Sequence, residues 1–162
     1  MIDVLTPAIV VLLVDDETLV RMVASELLED EGYQVYEARD GQEALTILEM
    51  RGHSITVLVS DITMPNLSGL DLAAIVSARW PRIGLVLASG CAPSDLKDRL
   101  PEGARFLRKP CRQPELIQAV ETVVRAKAAP GPAVPLHSFP TLHAGKMHGA
   151  GGLAQPLPEP ED

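Results

Sequence analysis

Short apolar runs recur along the first part of the chain at a spacing that predicts five β-strands. Most of these runs are rich in Val, Ile and Leu, which is typical of strands that are buried in a sheet. Turn-forming and polar residues separate them. The predicted strands cover residues 9–14, 34–37, 55–60, 83–88 and 104–107.

Helical patterns fill the segments between the strands. The first predicted helix has an apolar stripe within residues 19–28, and the second opens at Asp40 with a glutamate three residues later, which is a capping-box pattern. The third begins near Ser68 with an aspartate in the same relation. A short helix is predicted over 94–100, and the last begins at Pro114, a favourable first position of a helix.

This alternation of strand and helix predicts an α/β fold, in which a parallel sheet carries helices on both faces. In such folds the ligand site lies beyond the carboxyl ends of the strands, at the point where the strand order reverses. We therefore expect the functional residues to stand at the strand ends.

The composition of the chain changes near residue 128. Residues 128–162 contain 7 of the 14 prolines and show no apolar periodicity. Such a segment buries too little apolar surface to offset the entropy that is lost when it becomes ordered. We expect a folded domain over residues 1–127 and a disordered Pro/Gly-rich tail over 128–162.

Charge and hydropathy restrict the classes of function. A net charge of -8 argues against sequence-independent binding to nucleic acid, which depends on Lys and Arg. The longest apolar run, residues 8–14, is far shorter than the ~20 residues of a membrane span, and no basic segment of a secretion signal precedes it. We expect a cytoplasmic protein that binds neither nucleic acid nor membrane.

Polar side chains stand at the carboxyl ends of four of the five predicted strands. Asp15 and Asp16 follow the first strand, Asp61 the third, Ser89 the fourth and Lys109 the fifth. Adjacent carboxylates repel each other, so these acids are unfavourable neighbours unless a cation lies among them. If the first and third strands are neighbours, all three carboxylates share one pocket.

This set of groups predicts a magnesium and phosphoryl site. Mg²⁺ prefers oxygen ligands and is usually held by one or two carboxylates together with phosphate oxygens. A carboxylate beside the ion can attack a phosphoryl group and form an aspartyl phosphate. Lys109, Ser89 and Mg²⁺ would then surround the phosphoryl oxygens.

Four segments carry this chemistry: VDDE at 14–17, SDITMPNLSG at 60–69, ASG at 88–90 and RFLRKP at 105–110. Together they resemble the receiver domain of bacterial two-component response regulators. Each segment alone is weak evidence, but four in this order at the predicted strand ends are specific. The resemblance implies a flavodoxin-like, doubly wound five-stranded parallel sheet with the strand order 2-1-3-4-5.

The resemblance also implies roles for the acidic residues. Asp61 would accept a phosphoryl group from a phosphohistidine of a sensor histidine kinase, and a histidine phosphotransfer protein is the other partner implied. Asp16 and Asp61 would bind Mg²⁺ directly, Asp15 largely through water and Thr63 through its backbone carbonyl.

A conformational switch is implied by the same resemblance. Lys109 would pair with the phosphoryl oxygens, Ser89 would be the switch hydroxyl, and Phe106 would be the aromatic that turns inward, although plain core packing is an alternative for Phe106. Pro110 would follow a cis peptide bond. The added charge would draw the loops of Ser89 and Lys109 toward the phosphate and alter an output surface on the fourth helix, fifth strand and fifth helix.

Three features depart from the commonest pattern of the family. The span from Ser89 to Lys109 is short, which implies a reduced fourth helix. The other two departures are Thr63 and Cys91, each two residues past a site residue. The resemblance implies that these two positions tune the access of water to the phosphoryl group, so the motifs do not define its lifetime. Cys91 and Cys111 follow neighbouring strands, where a redox pair is conceivable and ordinary loop thiols are more common.

The sequence is compatible with three functions. The first is a stand-alone phosphorylation-controlled module that binds an unknown downstream protein, relays phosphate to a histidine phosphotransfer protein or drains it from a kinase. The second is a phosphatase with Asp61 as nucleophile, but Thr63 occupies the position of the usual general acid. The third is a receiver-like module that acts without phosphorylation. We expect the first function, that of a phosphoacceptor and not of an enzyme.

Overall fold

A five-stranded parallel sheet forms the centre of the computed structural model, which describes residues 8–90 and 96–128. Its strands lie in the order β2-β1-β3-β4-β5, and every neighbouring pair is parallel. This arrangement confirms the predicted flavodoxin-like sheet. The strands are β1 (Val10–Val14), β2 (Gln34–Ala38), β3 (Val57–Asp61), β4 (Gly84–Ser89) and β5 (Arg105–Arg108).

Four α-helices connect or follow these strands within the described residues. They are α1 (Thr18–Asp30), α2 (Gly41–Arg51), α3 (Gly69–Arg79) and α4 (Gln113–Ala128). A 3-10 helix, Lys97–Arg99, lies within the short helix predicted over 94–100, whose first two residues fall outside the described ranges. The predicted tail also lies outside them, apart from Ala128, which ends α4. Where the chain is described, none of its helices combines the length and the apolar character that crossing a membrane requires.

Alternating side chains of the strands build one core on each face of the sheet. In β1, Leu12 and Val14 face the cluster that includes α2 and α3, whereas Val11 and Leu13 face the cluster with α1 and α4. Full burial of one such side chain stabilises the fold by about 1.5 to 3 kcal/mol. Because a slip of one residue would exchange the two faces, this alternation determines the register of the strands.

Two predicted strands begin later than the hydrophobic pattern suggests. Ile55 and Ile83 are buried, but their backbone N–H groups donate to the carbonyls of Gly52 and Trp80 in the preceding turns. They contribute apolar surface to the core without pairing in the sheet. The strand boundaries therefore shift by one or two residues toward the carboxyl edge.

Side-chain caps begin α2 and α3 where the sequence predicts them. The Asp40 carboxylate accepts from the backbone N–H of Glu43 at 2.8 Å, and Ser68 Oγ accepts from that of Asp71 at 3.1 Å. Each cap satisfies a donor that the first turn of a helix leaves without a partner. Since α3 starts directly after the loop that follows Asp61, its cap also defines the end of that loop.

Candidate functional site

The candidate site lies at the carboxyl edge of the sheet, where β1 and β3 are neighbours and the strand order reverses. The backbone N–H of Asp15 donates to the carbonyl of Ala38, which extends the pairing of β1 by one residue. Asp61 is the last residue of β3. The N–H of Lys109 donates to the carbonyl of Ser89, so that β5 brings its lysine to the same edge. Backbone pairing thus positions four of the predicted site residues.

Three carboxylates converge at this edge. Asp15, Asp16 and Asp61 each offer an oxygen atom, and these atoms lie within 4.8 Å of one another. Asp15 and Asp61 are buried, whereas Asp16 is exposed. Hard oxygen donors in this arrangement, open to water on one side, fit a Mg²⁺ ion that keeps some of its water ligands. The residues present therefore fit the ion that the receiver resemblance implies.

Lys109 bridges the two buried carboxylates. Its Nζ lies 2.9 Å from Asp15 Oδ2 and 3.4 Å from Asp61 Oδ2. Side-chain exposure is 24% for Lys109 but only 6% and 7% for the two aspartates, so the lysine is the member of the three that has more contact with solvent. One cation near two buried acids leaves the pocket with an excess of negative charge.

This charge balance affects the acidity of Asp61 and Lys109. Burial raises the pKa of Asp61, with the nearby charge of Asp15 acting in the same direction, and this outweighs the opposing effects of Lys109 and of a backbone hydrogen bond from Thr63. Burial lowers the pKa of Lys109, but its hydrogen bond to Asp15 and the charges of both acids outweigh burial, so the lysine pKa is raised. The surroundings thus favour the charged form of Lys109, whereas the ionised form of Asp61 costs free energy in the folded state.

Close backbone packing shapes the loop between β3 and α3. The N–H of Gly69 donates to the carbonyl of Ile62 at 2.8 Å. A Cβ atom at position 69 would overlap the backbone carbonyl oxygen of Asp61, so only glycine fits there. Asn66 adopts a left-handed backbone with φ of 68°, which asparagine tolerates better than most residues. These features fix the loop that carries Thr63, whose side chain is exposed. Its predicted role as a carbonyl ligand stays a prediction.

Ser89 and Phe106 stand at the positions expected of the switch pair, on adjacent strands. Ser89 ends β4 and is buried, with its carbonyl bonded to Lys109. Phe106 lies in β5 opposite Leu87 and packs, partly buried, against the core on the α2 and α3 face. This contact agrees with the alternative in which Phe106 is an ordinary core residue. The switching roles of Ser89 and Phe106 stay predictions. The peptide bond between Lys109 and Pro110 is cis, as predicted.

The thiol of Cys111 is half-buried beside the site. Burial raises its pKa, with the charge of Glu115 acting in the same direction. Cys91, the other member of the hypothetical redox pair, lies outside the described residues. A raised pKa makes Cys111 a poor nucleophile at neutral pH.

An apolar groove of about 500 Å³ adjoins the site between α1 and the segment after β5. Leu19 and Val23 of α1 line it and are 75% and 58% exposed, and Pro110 and Cys111 line the opposite side. Lys109 also borders the groove. The helical stripe predicted for α1 is therefore buried only toward its end, at Leu28, while its beginning faces the groove and the solvent.

Sequence reasoning missed the contacts of Arg21. This residue of α1 donates from Nη1 to the backbone carbonyl of Asp15 at 2.7 Å and from Nε to Glu37 Oε1 at 3.1 Å. An arginine that follows paired acids by one turn of helix is a weak signal by itself, because surface helices commonly carry arginine. Only the position of β2 beside β1 brings Glu37 to it.

Comparison with known proteins assigns the chain to a family. The model of the response regulator receiver domain matches residues 11–121, and the chain belongs to this family. The match includes Asp15, Asp16, Asp61 and Lys109, the residues that meet at the carboxyl edge.

Individual relatives agree with this assignment. The chain is similar to the sensor kinase CckA of Brucella abortus, with 37% identity over 116 residues, which cover 70% of this chain and 12% of the kinase. Other curated relatives are transcriptional regulatory proteins, and the chain spans between 49% and 58% of their length. The chain thus corresponds to one part of these longer proteins.

Solved structures show the same fold. A response regulator receiver domain protein from Clostridium thermocellum superimposes with a TM-score of 0.67 and 30% identity, covering 74% of this chain and 96% of that one. A complex described as CheX-CheY-BeF3-Mg from Borrelia burgdorferi gives a TM-score of 0.66 and 26% identity, covering 71% of this chain and 88% of that one.

Proposed function

We propose that this chain is a phosphorylation-controlled signalling module in which Asp61 accepts a phosphoryl group from a phosphohistidine of a sensor histidine kinase or of a histidine phosphotransfer protein. One observation carries the proposal. A buried carboxylate ends β3 with an ammonium 3.4 Å away and two further carboxylates within 4.8 Å. A nucleophile, a cation for the phosphoryl oxygens and a set of magnesium ligands are thereby present in one pocket.

The transfer follows from this geometry. A carboxylate oxygen of Asp61 forms a bond to phosphorus while the bond between phosphorus and the imidazole nitrogen of the partner breaks. The leaving nitrogen keeps the electron pair and takes up a proton. Burial removes water from the attacking oxygen, and the charge of Lys109 favours the anionic form of Asp61 that can attack, in opposition to burial.

The surrounding residues then stabilise the product. Lys109 Nζ is close enough to pair with a phosphoryl oxygen on Asp61 without losing its hydrogen bond to Asp15. Asp15, Asp16 and Asp61, with the Thr63 carbonyl, would hold Mg²⁺, which would supply positive charge to the phosphoryl oxygens. A Mg²⁺ complex of the Borrelia burgdorferi relative supports this choice of ion.

The groove beside the site suits the approach of the phosphohistidine partner. Lys109 borders both the groove and the acceptor pocket, and exposed Leu19 and Val23 offer apolar contact area next to it. A partner that brings its histidine to Asp61 must cover this area. We therefore propose that the kinase or phosphotransfer protein docks over the beginning of α1, and that the protein acts in the cytosol, where such kinases take phosphate from ATP.

The output surface is proposed to include β5 and the helices on either side of it in the chain. A pocket of about 430 Å³ is lined by Ser89 together with Thr63, Leu96 and Arg99, so this hydroxyl-bearing residue lies beside open space at the carboxyl edge. The population of the switched state can shift only by the difference in contact energy that the phosphoryl group creates. A downstream protein would bind this surface. Relay of phosphate to a phosphotransfer protein, or its drainage from a kinase, would use the same acceptor, Asp61.

Acetyl phosphate tests the proposal without knowledge of the kinase. The full chain is incubated with Mg²⁺ and this donor, and its intact mass is compared with that of Asp61→Asn. We expect one acid-stable, base-labile phosphoryl adduct on the parent, none on Asp61→Asn, and none when EDTA removes Mg²⁺. Asp71→Asn is the matched control, because it makes the same change at an exposed position of α3 and should still accept phosphate.

Other outcomes distinguish the remaining functions. An adduct that persists in Asp61→Asn would refute the acceptor assignment. Continuous turnover of the donor with no accumulated adduct would indicate a phosphatase. No adduct on the folded parent at any Mg²⁺ concentration would favour a module that works without phosphorylation.

A further inference from the structure

Arg21 holds the peptide group that joins two of the candidate metal ligands. Its Nη1 donates to the carbonyl of Asp15 at 2.7 Å. The carbonyl of Asp15 and the nitrogen of Asp16 belong to one planar peptide unit, so a bond that orients the carbonyl also orients the start of Asp16. Asp16 is exposed, which leaves its backbone as the main determinant of where its carboxylate points.

Asp15 is held on its other sides as well. Its backbone N–H donates to the carbonyl of Ala38 at 3.1 Å, and its Oδ1 accepts from the N–H of Glu17 at 2.9 Å. Arg21 adds the bond on the side that leads to Asp16. The arginine thereby completes the set of contacts that defines the loop between β1 and α1.

Glu37 anchors the arginine itself. The Nε of Arg21 donates to Glu37 Oε1 at 3.1 Å, and the arginine side chain is only 14% exposed. Glu37 pairs with Leu13 across the β1–β2 ladder, so the sheet fixes the position of the anchor. The negative charge of Glu37 also offsets the positive charge of Arg21, which would otherwise oppose a divalent cation nearby.

We propose that Arg21, anchored by Glu37, is a positioning residue for Mg²⁺: it orients the Asp15–Asp16 peptide so that both carboxylates face the ion. This inference rests on the metal site of the proposed function. Residues that hold metal ligands in place typically change metal affinity by 10- to 100-fold when they are removed. Arg21 contacts no ligand carboxylate and acts only through the backbone.

Charge and positioning predict opposite effects of Arg21→Ala, which makes the test specific. Loss of a positive charge near the site would by itself tighten the binding of Mg²⁺. Loss of the hydrogen bond to the Asp15 carbonyl would weaken the binding of Mg²⁺, and we expect the dissociation constant to rise about tenfold. The measurement is isothermal titration of the metal-free full chain with MgCl2.

Arg39→Ala is the matched control. It removes the same charge from a side chain that is 73% exposed and that pairs with Glu43 instead of with the Asp15 carbonyl. We expect its affinity for Mg²⁺ to be equal to or slightly tighter than that of the parent. Arg21→Lys, which keeps the charge, should also bind Mg²⁺ more weakly, because one ammonium cannot reproduce the two directed bonds of the guanidinium.

The outcomes separate this inference from the function on which it rests. If the parent binds Mg²⁺ and both Arg21 variants bind it within twofold of Arg39→Ala, the positioning role is overturned and the metal site stands. If the parent shows no binding, the metal site itself is overturned. Circular dichroism without Mg²⁺ identifies a variant that does not fold, and Arg21→Lys then decides the question.

Discussion

Asp61→Asn should stabilise the protein in the absence of Mg²⁺, although it removes the proposed acceptor. In the metal-free pocket Asp61 is buried beside Asp15, and only Lys109 balances the two charges. Burial is the largest cause of the raised pKa of Asp61, which means that its ionised form costs free energy in the folded state. A neutral amide of nearly the same shape avoids that cost.

The distances give the order of magnitude. At an effective dielectric constant of about 20, the attraction between Asp61 and Lys109 at 3.4 Å is about 5 kcal/mol, and the repulsion from a carboxylate within 4.8 Å is at least about 3.5 kcal/mol. The exposed Asp16 adds a screened share of repulsion, so attraction and repulsion nearly cancel. The desolvation of the carboxylate remains, and we expect Asp61→Asn to gain on the order of 1 to 2 kcal/mol at neutral pH.

Urea denaturation followed by circular dichroism measures this difference in EDTA and again in Mg²⁺. A bound ion stabilises the parent more than the variant, so the gain should shrink or reverse when Mg²⁺ is added. It should also shrink as the pH falls through the raised pKa of Asp61, because the parent then becomes protonated. Glu26→Gln, at an exposed position of α1, controls for the change in net charge. A variant less stable than the parent in EDTA at neutral pH would refute the reasoning.

Three further changes test other parts of the site. Lys109→Met leaves Asp15 and Asp61 without their cation, and we expect the free energy of unfolding, measured by urea denaturation at neutral pH, to fall by about 2 kcal/mol. The difference should become smaller as the acids are protonated, and an unchanged midpoint would contradict the ion pairs. Gly69→Ala places a methyl group against the backbone carbonyl of Asp61, and we expect the free energy of unfolding to fall by about 2 kcal/mol and phosphorylation by acetyl phosphate to become slower. Values equal to those of the parent would contradict the close approach of residue 69 to that carbonyl. The pKa of Cys111 should lie above that of an ordinary thiol, which the pH dependence of alkylation by iodoacetamide, resolved by peptide mass mapping, would measure; half-maximal reactivity near neutral pH would contradict it.

Local interactions explain which features were predictable. Strand periodicity, the caps at Asp40 and Ser68 and the order of polar residues at the strand ends depend on neighbours a few positions apart, so they are visible in the sequence. These features implied the parallel sheet, and the resemblance to receiver domains added the strand order. Both were confirmed.

Strand boundaries were less predictable, because apolar residues can be buried before pairing begins. Ile55 and Ile83 belong to the core but bond within turns. In α1, the apolar pattern predicted the helix and not the exposure of its first turns, since no neighbouring element covers Leu19 and Val23 among the described residues.

The sequence by itself determined that acids, a hydroxyl and a lysine stand at the ends of strands, because each follows its own strand directly in the chain. Only the tertiary structure decided that Lys109 bridges Asp15 and Asp61. It likewise decided that Arg21 bonds both the Asp15 carbonyl and the Glu37 carboxylate. Lys109 is 94 positions from Asp15, and such contacts arise only after the sheet has assembled in its register. Interactions within a segment are encoded where they occur, whereas contacts between strands depend on the packing of the whole domain.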